Sequence, residues 1–163
     1  KRGHLFKVDG TDGSLFHVGA TGQRAIVALA FRPTDGTLWG WGVDKGLVTI
    51  NKTSGAATLI KKNDKDVEGM AWNNTGTLLY LAQGRTLYVY NPANGKITKV
   101  ADKLPGYVEA LEMRPDGLLV LGVHGKTTLF AYNPLTKKVI TAENIAGLPY
   151  NDIEGISWPV CIP

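Results

Sequence analysis

Apolar and polar positions alternate along this chain in short runs separated by turn-forming residues, and the runs come in groups of four. One group runs Glu68 to Trp72, Thr77 to Ala82, Thr86 to Tyr90 and Lys96 to Val100. Each run is rich in Leu, Val, Ile, Thr and aromatic residues, which suit a pleated, packed surface, and each predicts a β-strand. Turn chemistry sits between them. Asp35-Gly36, Thr75-Gly76 and Asp116-Gly117 mark one hairpin, and Asp12-Gly13 and Asn94-Gly95 mark another, because Gly and Asn tolerate the positive φ of tight turns. No window of helical length carries an apolar stripe at the 3.6-residue period. The pattern predicts an all-β chain.

The groups are copies of one unit. Ile26, Val67, Val108 and Ile153 hold the same place in successive copies and lie 41, 41 and 45 residues apart. The chain opens on Leu5 to Leu15, which match Leu87 to Ile97 in the second half of a unit, and it closes on Ile153 to Trp158, the front of another. A repeat of about 41 residues carrying four antiparallel strands predicts a β-propeller blade. One such meander cannot bury both of its faces alone, and stacking blades covers each face with a neighbour. The expected organisation is a single propeller over residues 1–163, with three full blades plus split end fragments. Residues 1–19 supply outer strands of a split blade, residues 26–60, 67–100 and 108–142 are blades, and residues 152–163 supply an inner strand. Such a ring closes through its own two ends, or the chain is a segment of a ring of six to eight blades, or a homodimer completes a larger one. The column Phe31, Trp72, Met113 and Trp158 is expected to pack between blades.

Composition narrows the partners. The 163 residues are 44% hydrophobic and 20% charged, and 18 basic against 14 acidic side chains leave a net charge of +4. No basic stripe alternates with aromatics, so nucleic acid is not an expected partner. No apolar run approaches the roughly 18 residues of a membrane helix, so no membrane span is expected. The single Cys161 excludes an intramolecular disulfide and a cysteine zinc site. A start at Lys1 rather than Met suggests a processed product or an excised segment.

Candidate chemistry gathers at one end of the units. Glu68, Glu109 and Glu154 open the first strand of three copies, and Val27 takes that place in the remaining one. In a ring these positions converge on one mouth of the central channel. Loops expected at the same mouth carry Asp44, Arg85, Tyr107, His124 and Lys126, the candidate ligand-binding residues, and Asp66 and Asp152 lie two residues before their glutamates. Converging carboxylates repel unless a cation sits among them, and oxygen donors suit Ca²⁺ or Mg²⁺. Glu68, Glu109 and Glu154 are therefore candidate metal ligands; the other reading has each accept backbone N–H groups of a neighbouring loop. There is no Gly-x-Ser-x-Gly elbow, and no Cys-His-Asn spacing accompanies Cys161. His124 is a weak candidate for a base. His4, His17 and His124 occupy non-equivalent positions of the repeat.

Glu68 to Trp72 and Glu154 to Trp158 both read Glu-Gly-x-x-Trp, which resembles the first-strand motif of the gluconolactonase/senescence-marker family. That resemblance implies a calcium-dependent lactone hydrolase on a six-bladed propeller, with the motif glutamate as metal ligand. The turn Asn91-Pro-Ala-Asn-Gly95 and its counterparts make the whole chain similar to bacterial propeller repeats of the YVTN or quinoprotein-like kind. The leading expectation is an extracytoplasmic or cell-surface binding or interaction module, whose loops take a protein, small-molecule or carbohydrate ligand. The alternative is a Ca²⁺-dependent lactone or ester hydrolase.

Overall fold

The computed structural model describes residues 3–157; Trp158, Cys161 and the last part of the predicted 152–163 strand lie outside the described residues. The strands are β1 (His4–Val8), β2 (Leu15–Ala20), β3 (Ile26–Phe31), β4 (Leu38–Gly42), β5 (Gly46–Ile50), β6 (Ala57–Lys62), β7 (Gly69–Trp72) and β8 (Leu79–Gln83). They continue with β9 (Thr86–Asn91), β10 (Lys96–Ala101), β11 (Val108–Met113), β12 (Leu119–Val123), β13 (Thr128–Asn133), β14 (Lys138–Val139) and β15 (Ile145–Ala146). All pairings are antiparallel. The helical content of the described residues is one 3-10 turn, Thr141–Glu143. No helix among them is long and apolar enough to cross a membrane.

The chain forms two compact units, Lys1–Lys65 and Asp66–Pro163. The first holds the pair β1-β2 and a four-stranded sheet in the order β3-β4-β5-β6. Leu38, Val48 and Ile50 form a core cluster there, with Leu5, Ile26 and Ala57 packed against it. Phe31, one member of the aromatic column, is 61% exposed, and the Lys52 ammonium lies 5.8 Å from its ring centroid.

The second unit stacks two sheets, β10-β9-β8-β7 and β11-β12-β13-β14, with β15 also pairing to β13. Between them lies an apolar layer. Ala71, Tyr80, Ala82, Leu87 and Val89 from the first sheet meet Leu111, Met113, Leu119, Leu121 and Tyr132 from the second. Met113 is thus buried as the repeat predicts, and Trp72 is buried as well. Residues 152–157, where the repeat predicts the start of an inner strand, carry no strand.

One turn recurs in all four copies. Asp9, Asn51, Asn91 and Asn133 each accept, through a side-chain oxygen, the backbone N–H two residues on, at 2.8–2.9 Å. An Asx side chain mimics a backbone turn in this way. Gly13, Gly55 and Gly95 follow at φ 76°, 80° and 66°, and in the last copy Lys137 takes the same left-handed place at φ 57°.

Candidate functional site

Residue 109 reaches its site through an irregularity in the sheet. Val108 pairs with Val123 and Ala110 with Gly122, so the register shifts and Glu109 is left over as the extra residue of a β-bulge. Bulges break the ladder locally and re-aim a side chain. The same shift occurs in β3 between Ile26 and Ala28, where the extra residue is Val27. In the intervening copy, Glu68 precedes β7 and its backbone N–H donates to the Ala82 carbonyl at 3.1 Å.

His124 follows β12 directly, and its backbone N–H donates to the Tyr107 carbonyl at 2.8 Å. Its Nδ1 lies 2.9 Å from Glu109 Oε1 and 3.4 Å from Asp152 Oδ1. Asp152 arrives through a close backbone approach: a Cβ built on Gly122 would sit 2.8 Å from the Ile153 carbonyl oxygen. Only a residue without a side chain lets the 152–157 segment lie so near β12. One donor atom from each of Glu109, His124 and Asp152 falls within 4.8 Å of the others.

The electrostatics are strained in one direction. Burial, then Asp66, Glu109 and Glu154, push the Glu68 carboxyl above the usual carboxylate range, with His124 pulling it back. Burial likewise raises Glu109; His124 opposes that, and the hydrogen bond and charge of Asp152 add to it. The Glu109 side chain is 20% exposed, and its Oε2 is buried with no hydrogen-bond partner among the described residues. None of Asp66, Glu68, Glu109, Asp152 or Glu154 forms an ion pair with a lysine or arginine among the described residues. Of these five carboxyl groups, Glu109 and Asp152 contact the His124 imidazole and Glu68 feels its charge.

The other candidates are dispersed. Tyr107 is 65% exposed, and its ring packs over Gly84 in the β8–β9 turn. Arg85 is exposed, but its Nε donates to the Leu104 carbonyl at 2.9 Å, which pins the 102–107 loop. Lys126 is exposed in the turn after His124, its N–H donating to the Val123 carbonyl. Asp44 belongs to the first unit, stands at φ 63° and pairs with Arg24 at 3.1 Å. Also in that unit, His4 Nδ1 and His17 Nε2 lie 2.8 Å apart, a pairing the repeat alignment does not suggest. Sequence reasoning expected Glu109, His124 and Asp152 at one mouth; the direct contact of His124 with both carboxylates is what the structure adds.

No protein-family model matches the sequence, and no curated protein matches it. Solved structures do. The extracellular domain of a B. thetaiotaomicron protein described as a one-component system matches over 94% of this chain and 22% of its own, with 17% identity and a TM-score of 0.57. Kuenenia stuttgartiensis hydrazine synthase matches over 91% of this chain and 41% of its own, with 13% identity and a TM-score of 0.59. The likeness is one of fold. The chain spans less than half the length of either solved chain. The match extends to 859 solved chains, a breadth that fits an architecture shared by unrelated activities.

Proposed function

We propose that this chain is a β-propeller binding module that recognises a positively charged group through the carboxylates around Glu109. Its blades are the predicted 26–60, 67–100 and 108–142, flanked by the split pieces 1–19 and 152–163. The observation that carries the reading is charge without compensation: five carboxyl groups and no lysine or arginine pairing with them, in a chain whose net charge is +4. Holding like charges together raises the energy of the empty site, and a bound cation lowers it. The likeness to an extracellular domain supports an extracytoplasmic setting.

Calorimetry with spermidine and with a neutral disaccharide tests this. Spermidine should bind, weaken as salt rises and weaken again in Glu68→Gln. Binding of the disaccharide but not the polyamine would overturn it. A second reading, lactone or ester hydrolysis, draws on the same pair. A carboxylate at Nδ1 orients an imidazole and fixes the tautomer that leaves Nε2 free to accept a proton, which would suit His124 as base; turnover of a lactone panel that stops in His124→Ala is its test.

A further inference from the structure

Glu109, His124 and Asp152 come from three separate segments: a β-bulge, the residue that ends β12, and a stretch held against Gly122. Nothing local in the sequence brings them together, and yet their donor atoms lie within 4.8 Å of one another. Two further features ask for a guest among them. His124 Nδ1 faces carboxylate oxygens at 2.9 and 3.4 Å, and a single N–H serves only one of them well. Glu109 Oε2 is buried without a partner among the described residues, a situation that costs free energy unless something fills it.

We infer that Glu109, His124 and Asp152 form a binding site for a borderline divalent cation of the Zn²⁺ class. The inference rests on the cation-binding reading above and sharpens it. The donor set argues for the metal: imidazole nitrogen suits zinc and its first-row neighbours, whereas calcium takes oxygen alone. The three glutamates expected from the repeat offer only oxygen; the geometry replaces two of them with an imidazole and an aspartate. Spacing agrees. With metal–ligand bonds of about 2.0–2.2 Å and tetrahedral angles, neighbouring donors stand about 3.4 Å apart. The His124–Asp152 separation already has that value, and the His124–Glu109 contact must open by about 0.5 Å. Access is open, because the His124 and Asp152 side chains are 62% and 56% exposed. Three protein donors leave a tetrahedral position for water or a ligand atom.

The test is Zn²⁺ titration against a chromophoric chelator, in a His17→Ala background that removes the His4–His17 pair. One Zn²⁺ per chain is expected, with affinity reduced at least tenfold by His124→Ala or Asp152→Asn and little affected by millimolar Ca²⁺. Co²⁺ should give a visible spectrum of tetrahedral intensity that is lost in His124→Ala. Unchanged circular dichroism of the metal-free variants separates ligand loss from misfolding. No stoichiometric Zn²⁺ binding, Zn²⁺ binding that survives His124→Ala, or preference for Ca²⁺ would overturn the site. Spermidine binding without Zn²⁺ binding would overturn the metal alone; failure of both would remove the cation-binding reading as well.

Discussion

Gly122 and Ile153 are in backbone contact: a Cβ on the glycine would stand 2.8 Å from the Ile153 carbonyl oxygen and 2.9 Å from the Ala110 Cβ. The contact holds Asp152 beside His124. Gly122→Ala should therefore push the 152–157 segment away and also press on the Ala110 methyl of β11. The expected outcome is loss of metal or polyamine affinity with a modest fall in melting temperature, read by calorimetry and by circular dichroism. An unchanged affinity would show that Gly122 does not position Asp152.

The apolar layer between the two sheets of the second unit is the main support of the site. Leu121 is fully buried at its centre. Truncating such a residue costs the transfer energy plus that of the cavity, and Leu121→Ala should destabilise by about 2–5 kcal/mol. Denaturant unfolding with unchanged slope would measure it.

Lys137 occupies a left-handed conformation that glycine holds in the three equivalent turns. A non-glycine residue there costs roughly 1–2 kcal/mol. Lys137→Gly should recover part of that, offset by the greater freedom glycine gains when unfolded. A small rise in melting temperature is expected; a fall would show that the lysine side chain has a compensating role.

Glu112 supplies a pH dependence away from the cluster. Burial raises its carboxyl above the usual range, opposed by the Met113 N–H that it accepts. A raised carboxyl favours the folded state where it is protonated, below its unfolded value of about 4.3. That contribution is lost as pH rises through the folded value. Glu112→Gln keeps the acceptor and removes the charge. It should raise the melting temperature at neutral pH and leave it nearly unchanged near pH 4. Equal effects at both would remove burial as the cause.

Strand positions and hairpin turns were legible in the sequence because they depend on local chemistry: alternation, Asn or Asp at the turn start, glycine at positive φ. Met113 also behaved as its repeat position predicts. Phe31 did not, since an alignment shows which residues are equivalent and not whether each is covered. The site was legible only in part. Glu109 stood out as an aligned carboxylate, but its meeting with His124 depends on a register shift of one residue. Asp152 reaches it through a close approach at Gly122, a position that reads as one glycine among 20. Both are three-dimensional coincidences that no single run of residues records.

The bulge in β11 has a consequence for how such a chain can change. Its extra residue stands outside the ladder, so neither the register of β12 nor the layer beneath depends on what that residue is. Valine occupies the corresponding bulge in β3 and glutamate the one in β11. Chemistry at the end of each sheet can therefore be rewritten one residue at a time, independently of folding. The scaffold is free to acquire or discard a ligand without having to be rebuilt.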